Sequence, residues 1–382
     1  MPLARSPLFN RIEGAFKNVD IRYRKNRKIE LGMLRIPYNP RTDAQQAVRK
    51  AYGRCVEEWR KLSPEEKASY EERARPLGIS GWNLFVKERL PAYLVPPMDY
   101  EVSITEQSGQ DLTDYQVLLV VDGDSEFFNT FNNDHKYLEV YDEDGKTLLK
   151  FWVEEWDPNN YKAKVWIKVP SIPASSTKKI YLKANLERAE PLSNRAETFD
   201  DFDDFSTDTL ANYVQIDTGW SISNGILKSP GSQGFICKLM TLNRNYALRA
   251  RIYVNGSDAG LGFIWGTEGG SEGSVNGYIA NHHPDSSHPE WSVVRRYVDG
   301  GATSIADLPT VGSGWYIMEV RVTPNKVIAL RNGTKDAEAE DTYFSQLQGI
   351  GFRQKASTDA VDWWDLRKYV EPEPSVTYTK LK

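Results

Sequence analysis

The stretch WYIMEVRVTPNKVIALRNG, residues 315–333, contains two candidate strands in close succession. Residues 315–322 form the first and residues 326–331 the second, and the Asn332-Gly333 pair after them is a favoured hairpin turn. The same region is rich in glycine and aromatic residues, and its further candidate strands are 248–254, 261–265, 291–297 and 349–354. Short strands separated by turn signals predict that residues 197–372 form an all-β sandwich.

Residues 98–190 show a second β-rich pattern. Its candidate strands are 115–121, 137–141, 148–153, 162–169 and 179–183, and Asp142-Glu143-Asp144-Gly145 is a hairpin turn between the second and the third. We therefore predict a mainly β protein with two consecutive β-sandwiches. A Glu-Pro-Glu-Pro stretch at residues 371–374 ends the fold, and we expect residues 373–382 to be a loose tail.

Residues 1–97 predict a β-arm followed by a small helical module. Two short alternating segments around Lys25-Asn26-Arg27 indicate a hairpin or an extended arm, and an apolar stripe over residues 44–59 indicates a helix. Ser63-Pro64-Glu65-Glu66 supplies an N-cap serine, a proline at the first helical position and a capping-box glutamate. Ser80 can cap a third short helix, and the prolines between residues 91 and 97 predict a linker.

The charge is distributed unevenly between these regions. Residues 1–97 contain 20 Lys and Arg against 11 Asp and Glu, whereas the remainder contains 28 against 42. A basic head of this kind could face an acidic protein neighbour or a nucleic acid. The two cysteines fall in different predicted domains, so we expect no disulfide scaffold. Neither a long apolar leader nor a run of about 18 apolar residues is present, so we expect no signal peptide and no membrane insertion.

Two resemblances concern the helical module. The segments PYNPRTDAQQAVR (37–49), LSPEEK (62–67) and SGWNLFV (80–86) resemble a module of phage and prophage proteins, which implies a virion or tail context. The pattern Trp-x-x-Leu-Ser-x-Glu-Glu-Lys-x-x-Tyr from Trp59 is similar to the second helix of an HMG box, a minor-groove DNA-bending fold. The basic strand and aromatic-rich first helix that usually open that fold are not matched. We therefore expect protein partners rather than nucleic acid.

Two further resemblances concern the β regions. DLTDYQV (111–117), FWVEEW (151–156) and VWIKVP (165–170) resemble an uncharacterised β-domain of archaeal and bacterial surface proteins, which commonly precedes a concanavalin-like or laminin-G-like domain. FDDF (199–202), GWSI (219–222), NGIL (224–227) and VDWWDLRKYV (361–370) resemble such a jelly roll. The resemblance implies a fold often used for glycans or host surfaces.

A sugar platform is the first candidate site. Flat aromatic rings stack on the apolar face of a pyranose, while neighbouring amides and guanidiniums bond its hydroxyl groups. Asn276 and Asn281 are candidate partners of this second kind. About half of the rings in alternating strands point inward, so the group is a better prediction than any one member. The candidates are Trp265, Tyr278, Trp291, Arg295, Tyr297 and Trp315.

Two metal sites are further candidates. If the first and last strands of the jelly roll lie side by side, their aspartates could bind a structural calcium ion, which prefers six to eight oxygen ligands. These aspartates are Asp200, Asp201, Asp203, Asp362 and Asp365, with Asp204 in the same acidic cluster. His282, His283 and His288, with Asp285 and Glu290, could hold a transition metal. A loop with the turn prolines Pro284 and Pro289 explains their spacing better, so we expect no required cofactor.

The adjacent residues Glu154 and Glu155 could suggest the carboxylate pair of a glycosidase. Neighbouring residues of a strand point to opposite faces, so this pair is predicted not to act together. The Walker and dinucleotide motifs are absent. We predict a non-enzymatic virion surface or tail protein that docks through its helical module to other virion proteins, assembles as a homo-oligomer and binds a host glycan. The alternatives are a glycoside hydrolase or lyase, a structural particle component without a ligand, and a DNA-binding protein.

Overall fold

The computed structural model describes residues 19–23, 29–33, 43–94, 98–231, 234–255, 258–284, 287–355 and 359–381. The chain divides into two compact units, Met1–Pro96 and Pro97–Lys382. Among the described residues, no helix is both long and apolar enough to cross a bilayer. The protein is mainly β with a small helical N-terminal part, as predicted.

The described part of the first unit contains a hairpin and three α-helices. Strands β1 (Val19–Tyr23) and β2 (Ile29–Met33) pair antiparallel, which confirms the predicted hairpin. The helices are α1 (Asp43–Lys61), α2 (Pro64–Ala74) and α3 (Gly81–Leu94). The predicted capping box opens α2: the Glu66 amide donates to Ser63 Oγ, and the Ser63 amide donates to Glu66 Oε2. Helix α3 continues through Pro91 to Leu94, so the prediction that the linker begins at Pro91 is wrong.

Aromatic rings pack the three helices against one another. The Trp59 ring of α1 lies 5.9 Å from that of Tyr70 in α2 and 5.7 Å from that of Trp82 in α3. Phe85 of α3 lies 5.2 Å from both Trp59 and Tyr70 and is buried. These edge-to-face and tilted contacts form the core of the helical module.

The second unit begins with a β domain of two antiparallel sheets, here called the first β domain. Its strands are β3 (Tyr100–Thr105), β4 (Leu112–Asp122), β5 (Leu138–Tyr141), β6 (Lys150–Asp157), β7 (Lys162–Ile172), β8 (Thr177–Ala184) and β24 (Ser375–Lys380). One sheet has the order β24-β3-β8-β5 and the other β4-β7-β6. Helix α4 (Ser125–Thr130) adds Phe127 and Phe128 to the core between them.

The predicted loose tail is wrong, because residues 375–380 form strand β24. It pairs antiparallel with β3 along its whole length, from Ser375 opposite Thr105 to Lys380 opposite Tyr100. The pairing supplies hydrogen-bond partners to a β3 edge that would otherwise be open. The jelly roll is therefore inserted into the first β domain between β8 and β24 and is joined to it by two connections.

The inserted domain is a jelly-roll sandwich of two antiparallel sheets. After helix α5 (Arg195–Thr198), its strands are β9 (Asp201–Asp203), β10 (Val214–Gln215), β11 (Ser221–Ser223), β12 (Ile226–Lys228), β13 (Gly234–Asn243), β14 (Tyr246–Val254), β15 (Ala259–Trp265), β16 (Asn276–His282), β17 (Val293–Val298), β18 (Gly301–Asp307), β19 (Gly314–Val322), β20 (Lys326–Arg331), β21 (Thr334–Glu340), β22 (Gln346–Gln354) and β23 (Ala360–Lys368). Each of the six predicted strands is present, and the one predicted over 291–297 begins at Val293.

The two sheets enclose one apolar core. The seven-stranded sheet has the order β10-β13-β22-β15-β16-β17-β18, and the eight-stranded sheet has the order β11-β12-β23-β14-β19-β20-β21 with β9 beside β23. Buried side chains from both sheets meet in the core, among them Leu248 and Val320 from one and Phe263 and Phe352 from the other. The outer face of the eight-stranded sheet turns toward the first β domain, which positions the site described next.

Candidate functional site

A cleft of about 520 Å³ lies between the two β domains, over the outer face of the eight-stranded sheet. Strands β4, β6 and β7 line one side, and β14, β19, β23 and the turn after β20 line the other. A concave site of this size with convergent polar groups is typical of ligand binding. The charged and aromatic lining residues are Tyr115, Glu154, Lys164, Trp166, Arg249, Glu319, Arg321, Arg367 and Glu373.

The alternation of strand β14 determines which side chains reach this face. Its even-numbered residues from Leu248 to Val254 enter the core. Arg249, Arg251 and Tyr253 therefore project from the outer face, at intervals of about 7 Å along the strand. Each has a cross-strand neighbour on β19, which are Glu319, Ile317 and Trp315 respectively.

The first β domain covers Arg249. Its guanidinium donates to both oxygens of Asp365 on β23 at 2.9 and 3.0 Å and to Glu154 at 3.0 Å. The guanidinium carbon also lies 4.6 Å from the centre of the Trp166 ring. Burial alone would lower the pKa of Arg249, but the carboxylates of Asp365 and Glu154 raise it. Arg249 therefore stays positively charged and links the two domains through hydrogen-bonded ion pairs.

A second buried network adjoins the first. Arg367 donates to Glu319 at 2.8 Å and to Glu373 at 2.6 Å. Arg321 also donates to Glu319 at 2.8 Å. Burial would raise the pKa of Glu319, but the adjacent Arg367 and Arg321 hold it at about 2. Glu319 is therefore a carboxylate at any physiological pH and is not suited to act as a general acid.

Beyond the covered part, the same face is open to solvent around Trp315. The Trp315 ring is 37 % exposed and lies 5.3 Å from the ring of Tyr253. The guanidinium carbon of Arg251 lies 4.5 Å from the centre of the Trp315 ring, and Arg251 donates to Asp362 at 2.5 Å. Ile317, two residues along β19, lines the cleft. We call Tyr253, Arg251, Trp315 and Asp362 the Trp315 surface.

The structure does not bring the predicted sugar platform together. Tyr278 and Tyr297 are fully buried, and Trp265 is half-buried against Phe344 with ring centres 4.9 Å apart. Trp315 lies on the other sheet and is the exposed member.

The remaining platform candidates also have other surroundings. Trp291 lies in a short helical turn before β17, with its ring 3.9 Å from His288 and 4.6 Å from His283. Arg295 is half-buried on β17, Asn281 is buried and donates to the Trp291 carbonyl at 2.9 Å, and Asn276 contacts Asp299.

The predicted adjacency of the first and last jelly-roll strands is confirmed, because β9 pairs with β23. The five aspartates nevertheless do not converge, since their strands present them to different faces. Asp203 points into the sandwich toward Tyr213, and Asp365 points outward toward Arg249 and Arg195. The others pair with separate cations: Asp200 with Lys168, Asp201 with Lys238, and Asp362 with Arg251.

The histidines also point to different neighbours. His282 Nε2 lies 4.0 Å from Asp336, whereas His283 Nε2 lies 3.8 Å from Asp258. Burial lowers the pKa of His282 to about 4. Within the described part of the chain, no three His, Cys, Asp or Glu side chains are placed to hold a metal ion. Asp285 lies outside the described residues.

The alternation argument for Glu154 and Glu155 is wrong, because a β-bulge interrupts β6 between Val153 and Glu155. Glu154 accepts from the Trp166 indole at 2.5 Å, and Glu155 pairs with Lys164 at 2.8 Å. Trp166 and Lys164 lie two residues apart on one face of β7, so both carboxylates reach that face. The bulge leaves no signal in the local sequence.

Arg249, Arg251 and Tyr253 are site residues that the sequence prediction missed. A usable signal was present in the segment LRARIYV, residues 248–254, where polar side chains alternate with apolar ones. An arginine at every second position of a buried-looking strand marks the outer face of its sheet.

A family model described as a domain of unknown function, DUF2341, matches residues 134–223. The match begins in the first β domain and ends at the jelly-roll strand β11, so it crosses the predicted boundary near residue 190. A comparison with curated proteins found no match.

Among solved structures, the chain is similar to the carbohydrate-binding module CBM66 from Bacillus subtilis, at 18 % identity and a TM-score of 0.31 over 44 % of this chain and 94 % of that one. It is also similar to a B. subtilis protein of unknown function with a galectin-like fold, at 16 % identity and a TM-score of 0.36 over 44 % and 96 %. A κ-carrageenase from Pseudoalteromonas carrageenovora is similar at 12 % identity and a TM-score of 0.31 over 44 % and 93 %.

Proposed function

We propose that the jelly roll binds carbohydrate at the Trp315 surface, with the glycan extending toward the cleft beneath the first β domain. The observation behind this proposal is a solvent-exposed indole with Tyr253 beside it, two residues along β19 from Ile317, which lines the polar cleft. Such rings offer a sugar a rigid apolar surface at a low cost in side-chain entropy.

The polar partners at this surface suit a ligand with many hydroxyl groups. Arg251 is a donor and Asp362 an acceptor, and each fixes the other through a 2.5 Å contact. Residues 315, 317 and 319 share one face of β19 at about 7 Å intervals, so a chain of sugar rings could follow the strand into the cleft. Pre-organised side chains of this kind improve affinity because little ordering is left for the binding step.

A printed glycan array probed with the full chain tests the proposal. We expect binding to a defined set of glycans and a loss of about 30-fold or more in Trp315→Ala, as for a central aromatic in an interface. Tyr161→Ala is the matched control, because Tyr161 is an aromatic of 39 % exposure in the first β domain. Absence of binding by the unaltered chain, or equal losses in both variants, contradicts the proposal.

We further propose that the chain binds its glycan without cleaving it. Glu154 is held by Arg249 and Trp166, and Glu319 is held as an anion by two arginines. The environment of Glu319 does not favour a protonated carboxyl group that could serve as a general acid. The check is reducing-sugar release from any polysaccharide that binds. Release that disappears in Glu154→Gln but persists in Glu155→Gln would show an enzyme instead.

We also propose that the helical N-terminal unit attaches the protein to a virus particle. Two observations support this proposal. The N-terminal unit is compact with an aromatic core, and residues 1–97 contain more Lys and Arg than Asp and Glu. Mass spectrometry of particles purified from a culture that produces the chain should detect its peptides. Their absence from pure particles, with abundant chain in the unassembled fraction, would overturn this proposal without affecting the glycan proposal.

A further inference from the structure

A second hollow, of about 400 Å³, lies on the jelly roll away from the Trp315 surface. It is formed by the turn after β19, the connection between β21 and β22, and one side chain of β17. Its lining combines an aromatic ring with hydrogen-bond donors and acceptors, and it consists of Arg296, Asn325, Glu340, Asp341, Thr342 and Tyr343. We call this the Tyr343 hollow.

The loops around the hollow are fixed by one arginine. Arg244, which precedes β14, donates to the backbone carbonyl of Thr323 at 2.5 Å in the first loop. It also donates to the carbonyls of Asp341 at 2.6 Å and Phe344 at 2.7 Å in the second loop. Hydrogen bonds from a charged donor to several carbonyls are strong, so the two loops are held at a set separation.

Asp341 at the base of the hollow is equally well oriented. It accepts from the Tyr278 hydroxyl at 2.5 Å, from the Tyr343 amide at 2.9 Å and from Arg296 at 2.6 Å. These donors hold the carboxylate in one position and align the Arg296 guanidinium with the wall of the hollow. The polar groups are therefore in place before any ligand arrives.

Tyr343 is exposed at the hollow, with 56 % of its surface open to solvent. The guanidinium carbon of Arg296 lies 4.8 Å from the centre of its ring, and the Phe344 ring meets it nearly edge-on at 4.9 Å. An exposed ring supported from two directions is a rigid stacking surface rather than a freely rotating side chain.

We infer that the Tyr343 hollow is a second saccharide site, and that its ligand is an uncharged sugar ring. Arg296 is offset by Asp341, and Glu340 adds a further negative charge, so an acidic sugar would be repelled. The ring of Tyr343 would stack on the apolar face of the sugar. Asn325, Thr342 and Glu340 supply both donors and acceptors for its hydroxyl groups.

The inference goes beyond the proposed function, because the two sites share no residue and can be occupied separately. Trp315 lies near the start of β19, and Asn325 lies in the turn after its end. The strand from Trp315 to Val322 alone spans about 23 Å. One jelly roll would then hold two sugars at once and could bridge two branches of a glycan or two neighbouring glycans.

The test is fluorine NMR of the full chain labelled with 3-fluorotyrosine, with the Tyr343 signal assigned from Tyr343→Phe. The probes are the methyl glycosides of galactose, mannose and N-acetylglucosamine, with glucuronic acid as the charged comparison. We expect at least one neutral glycoside to move the Tyr343 signal saturably, while the Tyr161 signal stays in place. Asn325→Ala should weaken that response about tenfold or more.

The outcomes separate this inference from the glycan proposal for the Trp315 surface. A Tyr343 response that survives in Trp315→Ala supports a site of its own, whatever happens at the Trp315 surface. A response that vanishes in Trp315→Ala would mean that the signal reports the first site and overturns the inference. No saturable shift with any neutral glycoside, or a shift with glucuronic acid alone, overturns it as well.

Discussion

Arg249 and Arg251 stand two residues apart on the same face of β14, and each is paired with an aspartate of β23 and packed on a tryptophan ring. The Arg249 side chain is 6 % exposed and the Arg251 side chain 42 %. The difference comes from the first β domain, which covers Arg249 and ends before Arg251. The Arg249–Asp365 pair and the neighbouring Glu319, here called the covered row, therefore join two domains. The Arg251–Asp362 pair, here called the open row, has the same local chemistry but faces solvent.

Burial, rather than residue type, determines whether each ion pair stabilises the fold or remains open to a ligand. The charges of a buried ion pair are stabilised by several fixed partners. Removal of one charged side chain leaves its partners uncompensated where water solvates them poorly. A solvent-exposed pair keeps its hydration when broken, so it contributes little to stability and remains available to a ligand. The covered row is therefore expected to hold the fold, and the open row to recognise the ligand.

The largest effect is expected from Arg249→Met, which leaves Asp365 and Glu154 without their shared cation. Breaking a buried pair in this way typically costs about 3–5 kcal/mol of the free energy of unfolding. Chemical denaturation of the full chain measures it, with Arg251→Met as the matched control. Similar losses in both variants would show that the two rows do not differ as the burial suggests.

Acid should destabilise the protein through the covered row, and we expect the loss in free energy of unfolding to be of intermediate size. The pKa of Glu319 is about 2 in the folded protein, below its usual value of 4.5. A lowered folded-state pKa contributes stability that is complete above about pH 4.5 and is lost as the pH falls toward 2. The loss is on the order of 3 kcal/mol.

Denaturation curves between pH 6 and pH 2.5 measure this contribution. In Glu319→Gln the acid-dependent part should shrink, although the variant starts less stable because Arg367 and Arg321 lose a partner. Asp362→Asn, in the open row, is the control and should follow the unaltered chain. If the free energy of unfolding of Glu319→Gln depends on pH as steeply as that of the unaltered chain, Glu319 does not contribute to the covered row as proposed.

The sequence was a good guide wherever the decisive pattern is local. The capping box at Ser63 and the jelly-roll strands follow from short-range spacing, because a helix start or a period of two is set within a few residues. The return of β24 to β3 was missed, although SVTYTK at 375–380 is rich in strand-forming residues. Its partner lies about 270 residues earlier, and no local pattern specifies a pairing at that distance.

The site was predicted less well than the fold for a related reason. Six aromatic and basic residues were candidates, yet exposure depends on which face of a strand each occupies and on what covers that face. Tyr278 and Tyr297 are buried, whereas Trp315 is exposed beyond the edge of the first β domain. The β-bulge at Glu154 likewise depends on pairing with β7, so simple alternation gave the wrong face.

The smallest effect on stability, and the sharpest test of the comparison, is expected from Arg251→Ala. The exposed pair with Asp362 should contribute no more than about 1 kcal/mol, so the denaturation midpoint should barely move. Glycan binding should nevertheless fall, because Arg251 supports the Trp315 ring and supplies a donor beside it. Arg251→Lys keeps the charge but lacks the planar guanidinium that packs on the indole, so it should restore binding only in part. A variant that loses stability and binding together would place Arg251 with Arg249 in the fold rather than in recognition.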